Sequence, residues 1–516
     1  MGNVAPPRSP QCRLAPPPPP QHAGKRVLGA PAPAGRDVLK PSEDMSPMKR
    51  IPAFKTSGAA RLADFVASAA PPAVALTCAA SAIRDTVGVT LAGAVEPAAR
   101  IAQSMATEEG LGRCVIVGTG ASSSPSWAAF ANGVAAHALD FDDMCFVSLA
   151  HPSCALFPAA LAAAERSHAS GRALLEGYVV GFEVECRLGK VMNPRHYHDR
   201  GWHCTSTIGT VGAAVTAARV LGLSPGETEH ALGIAASSAC GLKENLGSMV
   251  KPLHAGMAAR NGVMAAILAQ RGYLASERSL DGPQGFLTAM DAQHSNLDHA
   301  VAELGSHWEI LTTGITVKLY PSCAATHPAL DALLDLVHRE RFAPADVESI
   351  EVQVDSMTPR LLIHDRPSTG LEGKFSMPFC AAAAIVDRKV GIATFEPDRI
   401  QAPSIRALMP RVSMRVNPEF DTTAPLSHAR VTIRLRDGRT FEQTSNGARG
   451  YPARPASEEQ LRAKFSACAQ RVLSSAAADR AWEALGRIDH SDDVTAFGEL
   501  FAPALQESTS EASHGR

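Results

Sequence analysis

A chain of 516 residues, 45% apolar, with a formal charge of -2 and mean hydropathy near zero, has the make-up of an ordinary core-forming protein of two or three domains. With 49 basic against 51 acidic residues there is no excess of either sign for a nucleic-acid or membrane surface, so the expected partners are small molecules and copies of the chain itself. No C-x-x-C, H-E-x-x-H or G-x-x-x-x-G-K-[ST] occurs, and the eleven cysteines are odd in number and scattered among Ala, Val and Leu, which reads as reduced core thiols in a cytoplasmic protein.

Along the chain, residues 1–57 carry Pro16 to Pro20 and more basic than acidic side chains without apolar periodicity, and are expected to be disordered. A natural start at Met45 or Met48 would leave this extension without a function. From Leu62 the pattern is helical: apolar residues recur at three-to-four spacing over 74–91, with Arg84 and Asp85 on the other face. Further helices are expected over 127–139, 152–166 with Pro152 first, 174–192, 209–220 and 255–270, and Ser224-Pro225-Gly226-Glu227 is a capping box for a helix running to about Cys240. Near Gly314 the pattern changes. Residues 347–354 alternate, Asp437-Gly438 sits between two alternating arms as a hairpin signal, and helices are expected from His327 and over 376–386. Helix returns over 457–505. The fold class is therefore mainly α: a helical domain over 58–313, a smaller α+β domain over 314–452, and C-terminal helices over 453–510 that pack back on the first domain.

Polar clusters interrupt these Ala-rich helices. Ala136-His137-Ala138-Leu139-Asp140-Phe141-Asp142-Asp143 and His151-Pro152-Ser153 place three carboxylates and two imidazoles in eighteen residues. His151, His203 and the segment Lys251-Pro252-Leu253-His254 each stand where a loop enters a helix, and Tyr320-Pro321-Ser322-Cys323 with Thr326-His327 does so in the second domain. Helix starts offer free N–H groups and positive partial charge, which suit an anionic ligand and favour neutral imidazole. Taken singly, each His reads as readily as a cap, Lys251 as a solvated charge, and the aspartates as a cap or a cation site. Taken jointly they point to proton transfer on a ligand.

Asn132-Gly133, the 136–143 segment, His151-Pro152-Ser153, Gly201-Trp202-His203, Lys251 to Ala259, Tyr320-Pro321 with Thr326-His327, and Lys374-Phe375-Ser376 occur in an order that resembles the MmgE/PrpD family. The resemblance runs from about Leu62 to about Leu505. It implies a large helical domain with a smaller α+β lid, a homodimer, and chemistry on di- or tricarboxylates without metal or cofactor. It places the catalytic residues at Asp140, His151, His203 and Lys251, with Asp143, Ser322, Cys323 and His327 contacting substrate. On this pattern Lys251 holds a carboxylate, His203 moves a proton, and His151, oriented by Asp140, is the second acid or base. Where decarboxylases of the family have histidine and tyrosine, this chain has Cys323 and Phe379, and Met144 stands in a bridge one residue longer. These departures direct the expectation to a hydro-lyase of the 2-methylcitrate dehydratase type. An epimerase of an iminodisuccinate-like acid, a cis-aconitate decarboxylase-like enzyme and a non-catalytic homologue are the alternatives.

Overall fold

The computed structural model describes residues 57–292, 297–423 and 427–503; the Pro-rich extension expected to be disordered lies outside the described residues. Helix α1 (Gly58–Ser68) opens on Ser57, whose Oγ accepts from the Ala60 amide. Helix α2 (Ala73–Gly93) is long and apolar enough to cross a membrane by length and composition, yet it lies in the protein core and carries the buried Asp85. After α3 (Pro97–Glu109), strands β1 (Cys114–Ile116) and β2 (Ala121–Ser123) form a short antiparallel hairpin.

Six helices then build the centre: α4 (Pro125–His137), α5 (Ser153–Ser167), α6 (Gly171–Met192), α7 (Cys204–Val220), α8 (Pro225–Ser238) and α9 (Val250–Gln270). Of these, α4, α5 and α7 are buried over most of their length and carry apolar and small residues on all sides, as helices surrounded by other helices do. Small residues let them approach closely. A Cβ on Gly256 of α9 would lie 2.6 Å from the Phe130 carbonyl of α4, and one on Gly133 of α4 would lie 2.9 Å from the Ala255 carbonyl. Only glycine permits that crossing. The Ser224–Glu227 capping box forms as the sequence predicts.

The second hydrophobic core is separate from the first. It is built by α10 (His327–Arg339), β3 (Val347–Val354), α11 (Met377–Asp387), β4 (Val412–Val416), β5 (Ala429–Leu435) and β6 (Thr440–Ser445). The sheet order is β4-β3-β5-β6, with β3 and β4 parallel and the other pairs antiparallel. In β5, Ala429, Val431, Ile433 and Leu435 alternate inward, and Gly438 takes the hairpin turn at φ 89°.

Helices α12 (Glu458–Ala469) and α13 (Ser475–Leu485) return to the first core through Leu461, Phe465 and Trp482. Lys464 of α12 forms a buried ion pair with Asp85 of α2 at 2.8 Å. Helix returns over 457–505 as expected, in separate pieces: Ser474 caps the second by accepting from the Ala477 amide, and residues Val494–Phe501 are 3-10. All ten cysteines among the described residues are free thiols.

Candidate active site

Helix α4 ends at His137, two residues before the sequence pattern ends, and the chain then turns sharply through Asp140, which sits at φ 51°. A left-handed aspartate is uncommon and is held here by its side chain. Asp140 Oδ1 accepts from Lys251 Nζ in the first turn of α9 at 3.0 Å and from Lys318 Nζ at 2.5 Å; Lys318 Nζ also donates to the Asp140 carbonyl at 3.0 Å. All three side chains are buried. Burial alone would raise the Asp140 carboxyl, but the Lys251 and Lys318 ammonium groups outweigh it and hold the acid well below its usual range. Lys318 is raised in turn, because Asp140 and Asp142 outweigh its own burial.

Beside this ion cluster lie the histidines. His151 Nδ1 is 2.8 Å from the Asp143 carbonyl. A carbonyl only accepts, so Nδ1 carries the proton and Nε2, 3.9 Å from Asp140 Oδ1, is the free base. The partner that orients His151 is thus the Asp143 backbone rather than Asp140. His203 precedes α7, and its Nδ1 is 3.1 Å from His254 Nδ1, which leaves Nε2 for a ligand. His137 donates through Nδ1 to Asp142 at 2.7 Å, and its ring lies 4.6 Å from that of His151 and 5.9 Å from that of His203. Burial, with Lys318 adding, holds His151 well below its ordinary value; burial, with Lys251 adding, does the same to His203, and burial takes His254 down to about 4. Neutral imidazoles therefore stand next to two ammonium groups.

These groups open on a cavity of about 580 Å³ whose wall includes Asp140, His151, His203, Lys251, Lys318 and Cys323. All four residues expected to be catalytic are brought together there. Cys323 is also on the wall, and burial pushes its thiol up to about 11. Three of the expected substrate contacts are not on it. The Asp143 carboxyl turns away to Ser153, whose hydroxyl also meets Tyr178, and burial pushes it up to about 8. Ser322 bonds Thr326 at 2.8 Å, and His327 Nε2 donates to the Ser322 carbonyl at 3.2 Å. Both are fully buried, because α10 starts at His327 and packs its first turn into the second core. Phe379 is likewise a core residue, its ring 5.7 Å from that of Phe395; the phenylalanines on the cavity wall are Phe146 and Phe375.

Lys318 was not singled out from the sequence. The available signal was a lysine between Val317 and Leu319 in an extended run, where a charge is costly to bury unpaired. Lys374 acts behind the wall: its Nζ donates to the Leu139 carbonyl at 2.7 Å and the Pro321 carbonyl at 2.8 Å, and burial brings it down to about 8.

Ligating atoms of His137, Asp140, Asp142 and His151 lie within 4.8 Å of one another, a spacing that could hold a cation. Asp140 already carries two ammonium groups within 3.0 Å, and a divalent ion would have to share it against their repulsion. His137 spends its Nδ1 proton on Asp142. The donor set fits lysine better than metal. What remains is a pocket able to bind carboxylates through ammonium groups and to move one proton through neutral imidazole.

Comparison with known proteins gives a consistent picture. Models of the MmgE/PrpD N-terminal and C-terminal domains match residues 60–296 and 320–489. The chain is 29% identical over 457 residues to the cis-aconitate decarboxylase-like protein oryM of Aspergillus oryzae, covering 84% of this chain and 94% of that protein. It is 31% identical over 401 residues to the cis-aconitate decarboxylase of Mus musculus (75% and 81%) and 28% identical over 442 residues to that of Aspergillus terreus (81% and 90%).

Proposed function

Since this chain belongs to the MmgE/PrpD family and is a lyase, we propose that its cavity decarboxylates a cis-aconitate-like unsaturated tricarboxylate. The observation that carries the reading is Asp140 clamped by Lys251 and Lys318 beside the neutral bases His151 and His203. The curated relatives named above supply the reaction type. Of the sequence departures that favoured a 2-methylcitrate-type hydro-lyase, the one at Phe379 loses its weight, because that side chain is in the second core and not on the cavity wall.

The chemistry follows from the charges. Lys251 and Lys318 hold substrate carboxylates, with Asp140 limiting the net positive charge. The bond between a CH₂ carbon and its carboxylate breaks and CO₂ leaves. The released pair forms a new CH₂=C bond, and the former alkene pair moves to the carbon next to the third carboxylate as an enediolate. Fixed ammonium groups stabilise that charge more than they stabilise the ground state. One proton is taken up from the medium: His203 accepts it transiently, delivers it to this carbon and returns to its neutral form, and His151 Nε2, already proton-free, can relay it.

Purified protein incubated with cis-aconitate is expected to release CO₂ and form the five-carbon methylene dicarboxylate with the shifted double bond. If instead 2-methylcitrate loses water, with no CO₂ from cis-aconitate, the hydro-lyase replaces this reading.

A further inference from the structure

The cavity is larger and more apolar than three carboxylates require. A tricarboxylate of twelve heavy atoms, allowed as much as a water's share of roughly 30 Å³ per atom, needs at most about 360 Å³. The space available is about 580 Å³. The excess is walled by apolar side chains: Met144, Phe146 and Leu149 from the 144–150 loop, Leu246, and Met357 and Leu361 from around the short helix Thr358–Leu361.

Three polar side chains on this wall already have partners, whereas His198 Nδ1 has none. Lys190 pairs with Glu309, Asn193 donates to the Ser148 carbonyl at 2.7 Å, and Asp355 caps the short helix by accepting from the Met357 and Thr358 amides at 2.9 Å. They have little left to offer a polar ligand. The wall is also built rather than loose. The 144–150 loop is tied at its base by Cys145 donating to the Ala150 carbonyl at 3.0 Å and by Met144 pairing with Thr316. Its tip rests on Gly189 of α6, where a Cβ would stand 2.6 Å from the Val147 carbonyl. Leu149 is held at φ 50°, a conformation a leucine adopts only when its surroundings impose it.

We infer that the substrate carries, besides the carboxylates held by Lys251 and Lys318, an apolar substituent of several carbons that lies between the 144–150 loop and the short helix Thr358–Leu361. This rests on the polycarboxylate reading above and names its substrate class: a C-alkylated unsaturated tricarboxylate.

Two series test it on the full chain. In the first, CO₂ release is followed from cis-aconitate and its methyl, propyl and pentyl homologues; kcat/KM is expected to rise about fourfold per methylene. In the second, tricarballylate and its alkyl homologues, which cannot react, are titrated by calorimetry, and Kd is expected to fall along the same series. Affinity and kcat/KM that decline with chain length overturn the inference, while turnover of cis-aconitate keeps the decarboxylase reading. No CO₂ from any homologue, with affinity still rising, overturns the decarboxylase reading and keeps the apolar compartment. Leu361→Trp is expected to bring the pentyl-to-unsubstituted ratio of binding constants close to one; a ratio unchanged from that of the parent chain refutes the assignment of that compartment.

Discussion

Asp140 keeps its charge in a fully buried site because two ammonium groups outweigh the cost of its desolvation. Removing one of them upsets that balance. Lys318→Met is expected to cost about 3–5 kcal/mol in denaturant unfolding and most of the turnover, since it leaves a buried carboxylate undercompensated. Adding Asp140→Asn should restore stability but not activity, a non-additivity that a double-mutant cycle reads directly. His203→Ala is expected to lower kcat by about 10²- to 10⁴-fold with an unchanged circular dichroism spectrum; near-normal kcat removes it from proton transfer. Because lysine rather than metal neutralises the cluster, turnover should survive dialysis against EDTA. Asp143 offers a pH test. Its folded value of about 8 lies above an unfolded value of about 3.9, so the folded state holds a proton the unfolded state has lost. Stability therefore falls as pH rises from about 4 to about 8 and stays reduced above that. Asp143→Asn should flatten the decline of Tm between pH 6 and 9, and an unchanged slope would mean that Asp143 is ionised throughout.

At the level of elements, Gly189 makes the cavity wall possible by letting the 144–150 loop touch α6. Gly189→Ala is expected to destabilise the protein by about 1–3 kcal/mol through overpacking and to raise KM more than it lowers kcat. Most helices were legible because their ends are chemically marked, as with Ser224 and Glu227 in the capping box and Ser457 with Gln460. Helix α3 was not, since its buried face consists of Ala99, Ala102 and Ala106, which barely contrast with their neighbours. Strand β4 was missed because neither of its faces is fully buried, so no alternation is written into it. The same reason separates the legible part of the site from the rest. Asp140, His151, His203 and Lys251 each stand at a helix boundary inside alanine-rich sequence, whereas Lys318 lies in an extended run without period, and its burial depends on a pairing 178 residues away. His327 and Ser322 look equally functional in sequence, but nothing local reveals that α10 turns its first residues into the second core.

Across the whole molecule, two hydrophobic cores are joined by a chain that leaves the first, builds the second and comes back. A chain ended after residue 452 lacks Phe465, which packs against α2 at Gly88, and leaves Asp85 buried without Lys464. Such a truncation is expected to elute as aggregate on size exclusion even though the second core is intact. The return of α12 and α13 also sets a timetable for synthesis. On the ribosome, the first core cannot close until everything from Gly314 to Tyr451 has been translated, a delay on the order of 10 s at 5–20 residues per second. Throughout that interval the apolar face of α2 awaits a partner still being made, so the nascent protein has a built-in window in which it depends on whatever shields it.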